Sequence, residues 1–152
     1  MISLIEITEH NYQTVCGLTV TEEQKGYVAP PVSILARAYA KRSRNARALA
    51  ITDDETIIGV LMYLELPEEP ACYTIEQFLI DHRYQNKGNG KKALKLIIDF
   101  LAKEKKYGAI EICVKFEATQ AIKVYTDTGF ADTGYLDPDE PGSYCLRYCF
   151  DV

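Results

Sequence analysis

The chain contains no tryptophan and only two histidines, His10 and His82. Its five cysteines include no C-x-x-C pair. So few ligands at such spacings leave poor material for a structural zinc site, and no metal is expected. A basic surplus is missing as well, since 17 Lys and Arg stand against 22 Asp and Glu, for a net charge of −5. A protein built to grip nucleic acid usually carries the opposite balance, so no nucleic-acid partner is expected. No apolar run approaches the roughly 20 residues of a membrane-spanning helix, which argues against a membrane role. The opening Met1-Ile2-Ser3-Leu4-Ile5-Glu6 has no basic stretch ahead of its apolar residues and does not read as a secretion signal. An odd cysteine count then reads as reduced thiols in a cytoplasmic protein.

What is present is globular: 152 residues, 47% hydrophobic and 26% charged. That is one domain, spanning 1–152, with enough chain to bury a core. Alternating apolar residues predict a strand over 1–7. Thr8 is placed to cap a short helix over 9–18. Pro30 and Pro31 suit a helix start, and Val32, Leu35, Ala36 and Tyr39 follow at helical spacing to about Ser43. Residues 47–52, 56–66 and 71–81 read as three strands joined by short turns, an antiparallel meander. Gly59, inside the second of these, marks a bulge or a close backbone approach. A long helix begins at Gly88 with Ala93, Leu94, Ile97, Ile98 and Leu101 as its buried stripe. Ile110, Ile112 and Val114 alternate as a strand, and the intervening helix allows it to run parallel to its predecessor. A helix over 118–128 ends at Gly129, and strands over 130–135 and 144–150 close the chain. The expected fold is α/β (α+β): a mixed, mostly antiparallel sheet of about seven strands with helices on both faces.

The informative stretch runs from Phe78 to Ala93. A buried strand passes through a polar loop into a helix whose first turn is rich in Gly and Lys. Free N–H groups and the helix dipole make such a turn an anion site. Gly88 and Gly90 let a diphosphate approach the backbone, with Asn86 and Asn89 beside them, and Lys87, Lys91 and Lys92 add positive charge. A Walker loop does not fit, because Gln85 and Lys92 occupy two of its defining positions. Gly88-x-Gly90-x-x-Ala93 matches a dinucleotide fingerprint literally. However, three strands read as antiparallel precede it, and a polar loop separates it from the strand before it.

Gln85-x-x-Gly88-x-Gly90 resembles the R/Q-x-x-G-x-G/A pyrophosphate loop of the GNAT superfamily of acetyl-CoA-dependent N-acetyltransferases. Ala121-x-x-x-Tyr125-x-x-x-Gly129-Phe130 resembles that superfamily's second signature. The resemblance implies a GNAT fold and an acetyl-CoA:amine N-acetyltransferase, with acetyl-CoA as co-substrate. It implies cofactor contacts from Phe78, Leu79 and Ile80 on a splayed strand, and from the loop residues Gln85, Asn86, Lys87, Gly88, Asn89, Gly90 and Lys91. Tyr125 matches the tyrosine that returns a proton to the departing thiolate; at an unperturbed pKa of roughly 10 a phenol stays protonated near neutrality.

An acceptor amine must lose a proton before attack, and Glu76 is the expected general base. An acid is unusual in so apolar a strand, and alternation puts it on the face of Phe78 and Ile80. The strand around it is similar to that of the spermidine/spermine type, although Gln77 stands where those enzymes often carry a second acid. His82 is an alternative base, read mainly as a loop residue. Ala118 replaces the Asn that often opens the tyrosine's helix.

Acidic candidates at Glu22, Glu23, Glu65, Glu68, Glu69, Asp137, Asp139 and Glu140 favour a small cationic, polyamine-like amine. Basic residues at Arg37, Lys41, Arg42, Arg44 and Arg47 favour an anionic acceptor such as an amino acid. A non-catalytic CoA-binding module is the alternative of a different class, and a homodimer is a further expectation.

Overall fold

The computed structural model describes residues 1–151. Its strands are β1 (Ile2–Glu6), β2 (Arg47–Asp53), β3 (Thr56–Leu66), β4 (Cys72–Ile80), β5 (Ala109–Lys115), β6 (Ala131–Asp132) and β7 (Ser143–Cys149). Its α-helices are α1 (Tyr12–Cys16), α2 (Pro31–Ala40), α3 (Asn89–Glu104) and α4 (Thr119–Thr128). The strands form one sheet in the order β1-β2-β3-β4-β5-β7-β6. Among the described residues only β4 and β5 pair in parallel, across the α3 crossover.

The sheet is hydrophobic on both faces, and each face has its own helices. Val15 of α1 and Ile34 of α2 pack on Ala50, Val60, Met62 and Leu79. On the other face Ala93, Leu94, Ile97 and Leu101 of α3, with Tyr125 of α4, pack on Leu49, Leu61, Ile75, Ile110 and Ile112. The α3 stripe is the predicted one. Fully burying a Leu or Ile contributes about 1.5–3 kcal/mol, so this stripe alone anchors the crossover. The β2–β3–β4 meander also falls within a residue or two of its expected bounds.

Three expectations change. On α2, Val32 and Tyr39 are 62% and 69% exposed, whereas Ile34 is fully buried. Apolar residues occur on both sides of that helix, so spacing alone did not pick the inner one. The first helix is only Tyr12–Cys16; Asn11 precedes it, and its side chain bonds the Thr8 N–H and the Glu6 carbonyl instead. The strand expected over 130–135 shrinks to Ala131–Asp132. Beyond it, Thr133 still bonds the Cys145 carbonyl through its N–H, while Gly134 turns at φ 76°.

Gly59 fulfils both of its readings. The β2–β3 register slips beside it, between Ile51 and Thr52. A Cβ at Gly59 would stand 2.4 Å from the Leu79 carbonyl oxygen, closer than any side chain tolerates.

Candidate active site

β4 pairs with β3 from Cys72 to Ile80. It pairs with β5 only at Tyr73–Ile110 and Thr74–Glu111. Beyond Thr74 the two parallel strands diverge, and the backbone groups of β4 on that side lose their ladder partners. Unpaired strand groups are a template for an extended ligand. The gap opens into a cleft of about 480 Å³. Phe78, Leu79 and Ile80 line it from β4, Ile112 and Val114 from β5, and Tyr125 from α4.

At one end of the cleft lies the phosphate-binding candidate. Gly88 precedes α3 at φ 81° and no side chain caps the helix. Lys92 is the first N–H there to find a backbone partner, the Gly88 carbonyl at 3.1 Å. The preceding N–H groups are free to meet an anion. A Cβ on Gly88 would meet nothing within 4 Å, so its glycine is required by backbone conformation and leaves open space where a ligand approaches. Asn86, Gly88, Asn89, Gly90 and Lys91 line the cleft. Lys87 is exposed and is not part of that lining.

Several side chains brace the loop rather than face the cleft alone. Gln85 donates to the Ile80 carbonyl at 2.8 Å and exchanges reciprocal 2.9 Å bonds with Gln24. The Asn89 amide donates to the Tyr84 carbonyl at 3.0 Å. Gln120, in α4, donates to Asn86 Oδ1 at 2.8 Å. Asp81, which the sequence did not single out, is fully buried where β4 ends. It accepts from the Thr19 N–H at 3.0 Å, the Arg83 N–H at 3.0 Å and the Arg83 guanidinium at 2.8 Å. Burial by itself would push the Asp81 carboxyl up, but these donors outweigh it and hold it at about 2. A buried, charged hub therefore fixes the start of the loop. An Asp immediately after a buried strand was the available signal.

Tyr125 is 7% exposed and edge-on to Phe78, with ring centroids 6.4 Å apart. Burial pushes its phenol up to about 12, so the hydroxyl stays protonated throughout the neutral range. Gly129, in the left-handed region at φ 115°, ends α4, and the Phe130 N–H returns to the Tyr125 carbonyl at 3.1 Å. Ala118 stands at the other end of α4 without a side-chain cap and lines the cleft.

Glu76 also lines the cleft, but not in the expected phase. The β3–β4 register runs Met62–Gln77 and then Tyr63–Ile75, which leaves Glu76 as the extra residue of a β-bulge. Tyr73 and Ile75 belong with the α3 cluster, and so do Phe78 and Ile80. The alternation therefore slips by one across the bulge. Glu76 instead turns to the end of α2, where Lys41 Nζ lies 2.7 Å from its Oε1. Its neighbour Gln77 accepts from the Ala29 N–H at 2.9 Å, just before α2. His82 is exposed and outside the lining. Of the acidic candidates Glu23 lines the cleft, whereas Glu65 is taken up by Lys106 at 2.5 Å and Tyr107 at 3.0 Å. Among the described residues no cluster of His, Cys, Asp or Glu is arranged to hold a metal.

Known proteins resemble this chain in sequence or in fold. A spermine/spermidine N(1)-acetyltransferase of Bacillus subtilis is 29% identical over 141 residues, covering 90% of this chain and 91% of its own. An aminoglycoside acetyltransferase AAC(6')-Ib, solved with coenzyme A, superposes with a TM-score of 0.81 at 17% identity over 98% of this chain and 95% of its own. A spermidine N-acetyltransferase from Vibrio cholerae, solved with CoA and spermine, gives 0.70 at 18% identity over 96% and 92%. The Acetyltransferase (GNAT) family matches residues 10–130. Splayed strand, glycine loop and helix-borne tyrosine thus coincide with a family match over most of the sequence, and the chain belongs to the GNAT family as an acetyl-CoA-dependent N-acetyltransferase.

Proposed function

We propose that this enzyme acetylates a primary amine of a small, polyamine-like cation, with Glu76 as general base and Tyr125 as general acid. The observation that carries the reading is that Glu76 and Tyr125 line one cleft, which runs along the open edge of β4 to the glycine loop. The likeness to spermine/spermidine acetyltransferases supports the choice of acceptor.

The pantetheine arm of acetyl-CoA lies against the unpaired edge of β4, and its diphosphate meets the N–H groups at the start of α3. The acceptor ammonium gives a proton to the Glu76 carboxylate. An alkylamine has a pKa of about 10, so this loss is needed near neutrality. The nitrogen then attacks the thioester carbon and a C–N bond forms; the adduct nitrogen gives its second proton to solvent as the C–S bond breaks, and Glu76 passes the first proton on to solvent. Tyr125 donates its hydroxyl proton to the leaving thiolate and is reprotonated from solvent. Acid and base together give the reaction a balanced proton path. All five cysteines are free, which suits a cytoplasmic setting.

The test is thiol release from acetyl-CoA across spermidine, spermine, aminoglycosides, amino acids and short peptides. Polyamine-dependent release is expected. In Glu76→Gln the deficit should be deepest at low pH, where free amine is scarcest; an unaltered pH profile would remove Glu76 as base. CoA binding without release for any amine would favour a non-catalytic CoA-binding module, the reading to which Ala118 lends support.

A further inference from the structure

Lys41 supplies an ammonium to the carboxylate that the preceding reading assigns to the acceptor. Its Nζ stands 2.7 Å from Glu76 Oε1, reaching in from the C-terminal end of α2. Glu76 is the extra residue of the β4 bulge, so no ladder partner holds it in place. The carboxylate is 23% exposed and faces the cleft; the lysine is 44% exposed. Next to it, Gln77 holds the Ala29 N–H at the opposite end of α2. Two adjacent bulge residues therefore clasp one helix at both ends, and only one clasp is ionic. A lysine side chain is itself an alkylamine of pKa about 10, the same chemical class as the acceptor.

We infer that Lys41 is a resident counter-ion on the acceptor seat, which an incoming cationic amine must displace from Glu76. This rests on Glu76 being the acceptor carboxylate. Displacement exchanges one ion pair for another, so the lysine acts as a tethered competitor. It also releases the C-terminal end of α2 while Gln77 keeps the N-terminal end fixed. Lys41 is then a specificity-setting residue, and its removal strengthens acceptor binding. A disruptive structural lysine would behave the opposite way.

Two measurements test this. In the first, Lys41→Met is compared with the wild type in the thiol-release assay. Exposed pairs of this kind hold weakly, so KM for spermidine should fall about two- to five-fold, with the gain confined to KM. An unchanged or raised KM overturns the inference while leaving the proposed reaction intact. In the second, the CoA-bound wild type is trace-labelled with acetic anhydride, with and without saturating spermidine, and the lysines are mapped by peptide mass spectrometry. Labelling of Lys41 should rise with spermidine relative to Lys25, which is paired with Glu22. No rise overturns the inference. A rise without turnover keeps the displacement and rejects the proposed reaction, since this readout needs binding alone.

Discussion

The two edges of β4 are built from the same residues and do opposite things. Toward β3 the strand is zipped from Cys72 to Ile80, and Gly59 brings the two backbones close at Leu79. Toward β5 it pairs at Tyr73 and Thr74 and then parts. The sealed edge carries stability. The open edge leaves its hydrogen-bonding capacity to a ligand. A side-chain pattern reports burial, and Leu79 and Ile80 are buried either way, so the sequence looks alike on both sides.

The comparison can be broken from either edge. The largest effect is expected at the open one. Tyr125→Phe removes the proton donor and keeps the ring packed on Phe78, so kcat should drop about 10²–10³-fold with the melting temperature nearly unchanged. Thiol-release kinetics beside a thermal melt would check both halves, and an undiminished kcat would reject the acid role. Next comes the sealed edge. Gly59→Ala drives a methyl against the Leu79 carbonyl, which should destabilise the fold by about 1–3 kcal/mol, read by denaturant titration. A neutral result would mean that the two strands can separate without loss.

A smaller effect is expected at the mouth of the open edge. Gly88→Ala forces a side chain into the left-handed region at a strain of about 1–2 kcal/mol. CoA affinity, measured by calorimetry, should weaken by roughly an order of magnitude, with little loss of core packing because nothing lies within 4 Å. The last comparison is read as a pH dependence, at Asp81. Its folded carboxyl titrates at about 2 against an ordinary 3.8, so its contribution is complete above about pH 4. The contribution is lost as the pH falls from there through 2. Acid melts of wild type and Asp81→Asn should therefore converge below that window, and parallel curves would reject Asp81 as the loop's hub.

Much of this was legible beforehand, for identifiable reasons. The meander and the α3 stripe announce themselves because each has one buried phase and a clear period. The glycine loop was legible because Gly88 is required by backbone geometry, which sequence records directly. The inner face of α2 was not, because Ile34 and Val32 offer the same chemistry to opposite sides. The sequence reads Gln85 as a ligand contact; it lines the cleft, and its amide also bonds the Ile80 carbonyl and Gln24. A partner as distant in sequence as Gln24 leaves no local trace. The bulge at Glu76 was invisible for a related reason: no Gly or Pro marks it, and it shows only in the register against β3.

That bulge decides which side of the sheet the end of β4 serves. Hydrophobic alternation is a phase, and the phase of β4 breaks at position 76. Counting by alternation alone from Tyr73 would put Phe78 and Ile80 on the α2 side and Leu79 on the α3 side, the reverse of where they lie. Conversely, deleting residue 76 would restore one unbroken alternation, keeping Phe78 and Ile80 with α3 and Leu79 on the α2 side while taking the carboxylate out of the cleft.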